Sequence, residues 1–299
     1  MNTLLELKKS FENGYITKPD FTEKMWQNGS AHLFKLKEYM NNNSLIKDIT
    51  ISKEGIIYEL NSGVKLYAVE GDYGLIPFAI FNFGSYEEEI WEKTYKLFNK
   101  EPQTILDIGG NIGYFSLYFS KKFANSQFHC FEPIPNTFNY LQKNIILNNS
   151  QNIKCYNLGL SDKKQSIEMF YNPKGSGASS LRDICEKDYV KKVSCNFSTL
   201  DDFVKENNIK NIDFIKCDVE GAEKLVYEGG METLAKYKPV IYSEMLRKWS
   251  AKFNYHPNDI INLLKTIGYE CYAISSKTFY KIEKVTEETI ETNYIFKQA

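Results

Sequence analysis

Six acidic residues in this chain carry the spacing of a ligand-binding crevice. Asp107 closes the apolar run Thr104–Asp107 and leads into the glycine turn Gly109-Gly110-Asn111-Ile112-Gly113. Glu132 closes the next apolar run, 25 positions on (132 − 107). Asp162, Asp218, Glu220 and Glu244 follow later apolar runs. An acid at the end of the first run suits a cationic or amine-bearing ligand better than a pyrophosphate. An acid at the end of the second suits ribose hydroxyls. The glycines allow the backbone to approach a ligand closely or to take φ > 0. A helix opening at Tyr114 presents unpaired N–H groups to the same place.

The elements that must position these residues alternate in type. Apolar runs at 104–108, 127–132, 153–160, 212–217, 239–243, 269–274 and 293–296 read as seven main strands. Helical patterns lie between several of them. The sheet is expected to be open and mostly parallel, with helices on both faces. Ligands bind outside the carboxyl ends of such strands, so the acids should converge there. Residues 163–203 form an insertion, with extended pieces at 167–171 and 193–197 and a small-residue loop, Gly175–Ser180. Gly229-Gly230 weakens the helix after the fourth strand. Asn258 is placed to cap a later helix, and 278–284 reads as a hairpin arm. Upstream, residues 1–46 look like short helices, one of them around His32–Met40. Residues 48–82 alternate with period two around turns at 53–55 and 61–63, which suggests a β-meander. Ser85 with Glu88 reads as a capping box. The acids Glu87, Glu88 and Glu89 favour the first helical turn and are near enough to reach the ligand site. The expected division is an α+β extension over 1–83 and a main domain over 84–299.

Composition bounds the function. With 299 residues, 42% of them hydrophobic and 15% aromatic, the chain can build a substantial core. A net charge of −1 gives no basic footprint, so no nucleic-acid partner is expected. The six cysteines have no C-x-x-C spacing and read as reduced thiols. The histidines are scattered, and no metal site is expected. The start lacks a signal-peptide pattern and no apolar run reaches about 18 residues, which suggests a cytoplasmic protein without a membrane span. Nothing in the pattern opposes a homo-oligomer.

The glycine turn is not the dinucleotide fingerprint, because Asn111 stands where G-x-G-x-x-G needs its second glycine. That argues against a nicotinamide oxidoreductase. S-adenosylmethionine, with an ammonium, a sulfonium and no phosphate, fits the acid pattern better. Taken in order, DIGGNIGYFSLYFS (107–120), FEPIPNTF (131–138), NLGLSD (157–162), GASSL (177–181), STLDDF (198–203) and FIKCDVEGAE (214–223) resemble the FkbM-type S-adenosylmethionine-dependent methyltransferases. The resemblance spans about residues 84–275. It implies a class I, Rossmann-like methyltransferase fold and O-methylation of a sugar or polyketide-like small molecule. It implies that Asp107, Gly109, Asn111 and Gly113 line the amino-acid end of the cofactor. Glu132 would take the ribose, and Ser161 and Asp162 would lie near the adenine. Asp218 and Glu220 would face the methyl group and the acceptor.

Methyl transfer to oxygen requires alignment and removal of the hydroxyl proton. Asp218, Glu220 and Glu244 are the candidate catalytic bases, with His256 a weaker one; Glu223 reads as a solvated helix acid. The expected acceptor is a small molecule, most simply a sugar or glycan precursor, with a lipid or polyketide hydroxyl as the competitor. Tyr171, Tyr242 and Trp249, near predicted strand ends, could stack on sugar rings, although core or rim packing is the commoner role for any one of them. A non-catalytic nucleotide-binding module is the remaining alternative.

Overall fold

A computed structural model describes residues 3–41, 45–84, 86–98, 100–275 and 278–298. The chain opens with helices α1 (Leu4–Glu12), α2 (Lys18–Met25) and α3 (Ala31–Met40), the last two joined by a π-helical turn. Strands β1 (Ile46–Ile51), β2 (Ile56–Leu60) and β3 (Lys65–Tyr67) form the expected antiparallel meander. It ends earlier than its period suggested. Residues Ile76–Phe83 form helix α4, which Pro77 can begin because the first helical turn needs no N–H from it. Helix α5 (Glu88–Tyr95) follows; of its expected capping box, Ser85 lies outside the described residues.

The main sheet is built from β4 (Thr104–Ile108), β5 (Gln127–Phe131), β6 (Ile153–Tyr156) and the later strands. Helices α6 (Tyr114–Ser120) and α7 (Pro135–Leu147) connect these first three. Expected as one strand, 153–160 is two. After β6 the chain breaks at Asn157, whose Nδ2 donates to the Glu132 and Pro133 carbonyls at 2.9 Å each. It resumes as β7 (Gly159–Leu160), which joins β8 (Gln165–Tyr171) and β9 (Lys191–Ser198) in a separate three-stranded sheet. Then come α8 (Leu200–Glu206), β10 (Phe214–Cys217), α9 (Glu223–Glu228), α10 (Met231–Tyr237), β11 (Val240–Glu244), α11 (Arg247–Lys252), α12 (Pro257–Lys265), β12 (Tyr269–Ile274), β13 (Phe279–Ile282) and β14 (Asn293–Gln298).

The strand order is β13-β12-β14-β11-β10-β4-β5-β6. The sheet has eight strands, one more than expected, because the hairpin arm pairs with β12 along its length. Only β13 and β14 run against the others. This is the class I, Rossmann-like methyltransferase architecture. Strand parity divides the core. Ile105 packs with α6, α7 and the meander on one face, while Leu106 and Ile108 pack with α8, α9 and α12 on the other. At Gly229-Gly230 the expected weak helix is a full break between α9 and α10. A Cβ at Gly229 would stand 2.0 Å from the Ser161 carbonyl oxygen, so the backbones meet there.

Candidate active site

The carboxyl ends of β4, β5, β10 and β11 open on a cavity of about 240 Å³. The glycine loop after β4 forms its floor and is tied to the neighbouring strands. Gly109 N and Gly110 N donate to the Phe131 carbonyl at 3.1 and 2.8 Å. Gly109 has φ +81°, and a Cβ there would fall 1.8 Å from the Asp218 carbonyl oxygen. Glycine is therefore required by close approach of the protein's own backbone as well as by backbone conformation. Asn111 also takes positive φ, at 51°.

Glu132 pins this loop. Its Oε2 accepts from Asn111 N at 3.2 Å and its Oε1 from Ile134 N at 2.8 Å. The side chain is 6% exposed and lines the cavity. Burial pushes its carboxyl up to about 7, against the opposing pull of these N–H groups. Each oxygen keeps a lone pair for a ligand hydroxyl.

At the other end stand Asp218, just after β10, Glu220 in the following turn, and Glu244 at the end of β11. One oxygen from each lies within 4.8 Å of the other two, a spacing a divalent cation could also bridge. Glu220 sits at φ +54° and its carbonyl accepts from Ser180 Oγ at 2.8 Å, so the insertion loop is latched to this turn. Burial and then the charges of the neighbouring acids raise the carboxyls of Glu220 and Glu244 well above the usual carboxylate range. Glu87 joins them from the start of α5, as its proximity in sequence to the first strand suggested. Burial brings its carboxyl to about 7, and Trp91 Nε1 holds its Oε2 at 3.2 Å.

The structure brings Gly109, Asn111, Glu132, Asp218, Glu220 and Glu244 together around the cavity. It does not bring the others there. Asp107 shares the strand parity of Ile105, so its carboxyl is fully buried beneath α6 and accepts from Ser116 Oγ at 2.6 Å. Gly113 begins α6 at φ +89°, where a Cβ would strike Leu141 at 2.5 Å; its role is packing. Ser161 is fully buried, its hydroxyl donates to Asp162 Oδ1, and neither lines the cavity; Gly159 and Leu160 do. His256 is the N-cap of α12, displacing Asn258 from that role, and it does not line the cavity. Asn258 instead exchanges hydrogen bonds with Val285. Glu223 is 1% exposed rather than solvated, and its Oε1 accepts from Val219 N and Gly221 N. Tyr171 and Tyr242 are core residues and Trp249 lies outside the cavity, packed against Gly221. The aromatic wall is Tyr86, Trp91, Tyr114 and Phe115.

Sequence reasoning missed Lys216. It is 5% exposed, and its Nζ lies 3.1 Å from Asp218 Oδ2, 3.2 Å from the Gly109 carbonyl and 3.6 Å from Asp107 Oδ1. A signal was present. A lysine inside the apolar central strand Phe214-Ile215-Lys216-Cys217 has both faces covered and must find a partner.

The strand order is that of a class I methyltransferase. Residues 107–271 match the methyltransferase FkbM domain, and the chain belongs to that family. It is 33% identical over 142 residues to Methyltransferase 1 of Beauveria bassiana, covering 42% of this chain and 57% of that one. It is 29% identical over 170 residues to the 2-O-methyltransferase NoeI of Sinorhizobium fredii, covering 52% and 68%. A solved FkbM methyltransferase from Methylobacillus flagellatus matches at 15% identity with a TM-score of 0.45, covering 73% of this chain and 53% of that one. The matched stretch thus spans little more than half of the Beauveria relative. Among the described residues, no helix is long and apolar enough to cross a membrane.

Proposed function

We propose that this chain is an S-adenosylmethionine-dependent O-methyltransferase acting on a hydroxyl of a sugar or glycan precursor in the cytoplasm. One observation carries the reading: a single cavity joins the Glu132-pinned glycine loop to the carboxyl cluster of Asp218, Glu220 and Glu244. Glu132 has the free lone pairs to accept two ribose hydroxyls. The backbone of Gly109, Gly110 and Asn111 would hold the amino-acid end, and Gly159 and Leu160 would flank the adenine. Bound there, the cofactor supplies a methyl group already activated on a sulfonium. The chain's own task is to align the acceptor oxygen and take its proton. Asp218, Glu220 and Glu244 are the groups placed for it. The wall of Tyr86, Trp91 and Tyr114 offers faces on which a sugar ring can stack. Similarity to a protein named as a 2-O-methyltransferase supports oxygen as the acceptor atom.

A second reading, a lipid or polyketide-like hydroxyl, is favoured by the aliphatic Leu75 and Ile76 beside that wall. Incubating the protein with methyl-labelled S-adenosylmethionine and separate sugar-nucleotide and lipid-extract pools distinguishes them. Label is expected in the sugar pool. Label confined to the lipid pool, in a form resistant to sugar hydrolysis, would sink the sugar acceptor.

A further inference from the structure

The three acids at the acceptor end look alike in sequence, yet among the described residues only Asp218 is in contact with a buried cation. The register of β10 against β4 sets Lys216 directly beside Asp107, and both point to the face that α6 covers. From there the Lys216 ammonium reaches across the strand ends. It meets Asp218 Oδ2 at 3.1 Å and the Gly109 carbonyl at 3.2 Å, with Asp107 Oδ1 at 3.6 Å behind it. That Asp107 oxygen is buried without any hydrogen bond among the described residues, so the ammonium is what balances its charge. The centre of the Phe115 ring lies 5.9 Å from Nζ. One cation therefore holds the cofactor loop, through Gly109, and the acceptor acid, through Asp218.

We infer that Lys216 is a positioning residue for methyl transfer: anchored by Asp107, it fixes the Asp218 carboxylate at the acceptor end, and Asp107 serves as its counter-ion instead of contacting the cofactor. This rests on the reading that Asp218 faces the acceptor. It also separates the three acids by role. Asp218 has the Lys216 ammonium against its carboxyl, while among the described residues Glu220 and Glu244 have no cation in contact and burial favours their protonated forms. Lys216 is not itself the base. Burial acts to lower its proton affinity, but the charges of Asp218, Asp107 and Glu87 outweigh burial and raise it, so it stays charged. The reaction it supports balances simply: the acceptor O–H proton passes to Asp218, the oxygen–methyl bond forms, and the sulfur–methyl bond breaks with its electron pair left on sulfur.

The experiment uses the full chain, with S-adenosylhomocysteine as the binding probe and calorimetry as the readout. Transfer is measured from labelled S-adenosylmethionine to whichever acceptor pool the wild type labels. Lys216→Met is expected to slow transfer by about 10²-fold, the scale of a displaced reacting group. Its affinity for S-adenosylhomocysteine should fall by much less than the rate, because Glu132 and the Phe131 carbonyl still hold the loop. Its pH–rate profile should move upward, because Glu87 and Glu220 lose the positive charge that favours their ionised forms. Around these two acids stand Asp218, Glu88, Glu223, Glu244, Tyr86 and Tyr242, with Lys248 a second cation acting on Glu220. Lys216→Arg should recover part of the rate and return the profile toward wild type. Asp107→Asn should slow transfer while leaving affinity for the probe near wild type. If Lys216→Met does not fold, Asp107→Asn/Lys216→Met removes both buried charges together and should show the slowed transfer and shifted profile. A tenfold or larger loss of probe affinity in Asp107→Asn with transfer intact, at about 1.4 kcal/mol per tenfold, would make Asp107 a cofactor ligand and overturn the inference. So would a lysine variant with unchanged rate and profile. Wild-type protein that binds no S-adenosylhomocysteine would refute the methyltransferase reading before any variant is compared.

Discussion

Glu132→Gln should make this protein more stable at pH 8 and worse at holding its cofactor. The carboxyl ionises at 4.5 in an unfolded chain and at about 7 in the fold, chiefly because it is buried. The folded state therefore holds the proton more tightly, and the stabilisation present below pH 4.5 is lost as pH rises through about 7. At about 1.4 kcal/mol per pH unit, the ionised group costs the folded state about 3 kcal/mol at pH 8. Glutamine is isosteric, never ionises, and keeps one acceptor for Asn111 N or Ile134 N, much as the protonated acid would. Denaturant melts of the two proteins should coincide near pH 4, separate as pH rises from about 4.5 to about 7, and stay apart by up to about 3 kcal/mol at pH 8. Cofactor binding should move the other way. Hydrogen bonds to a charged acceptor contribute about 1.5–3 kcal/mol, so S-adenosylhomocysteine should bind about 10- to 150-fold more weakly. Alanine is the poorer test, since it orphans two backbone N–H groups and mixes loop collapse with lost affinity. A variant that binds the cofactor as well as wild type, or whose stability advantage does not grow with pH, refutes the assignment.

Replacing Asp218 by Asn should lower kcat by about 10²–10⁴ with cofactor affinity near wild type, the scale of general base catalysis; normal turnover in Asp218→Asn, Glu220→Gln and Glu244→Gln alike would place the base elsewhere. Glu87→Gln should raise stability between pH 6 and 8, because its buried carboxyl also ionises at about 7, and should lower transfer without changing calorimetric binding of S-adenosylhomocysteine; unchanged transfer removes Glu87 from the acceptor wall. Gly109→Ala should lose at least about 1–2 kcal/mol from its left-handed φ alone, with more from overlap on the Asp218 carbonyl, and a melt equal to wild type would contradict the loop geometry.

The alternation of strand and helix, the glycine turn and the acids at strand ends were all legible in the sequence. Each is a local property: the side-chain period, a backbone conformation, or a position at the end of an apolar run. They sufficed to place Glu132, Asp218, Glu220 and Glu244 at one edge of a parallel sheet. Which acids face the cavity was not local. Asp107 and Glu132 both close apolar runs, yet Asp107 lies inside β4, opposite Cys130 and covered by α6, while Glu132, one residue past β5, reaches the cavity. The main sheet could not be given its eighth strand from period alone, because pairing of β13 depends on β12 offering a free edge. The break at Asn157 was likewise hidden, since it depends on carbonyls of Glu132 and Pro133 that are distant in sequence. Lys216 shows the division most directly. Its type and its apolar neighbours state that a buried charge exists, but only the register of β10 on β4 decides that Asp107 and Asp218 are the carboxylates on either side of it.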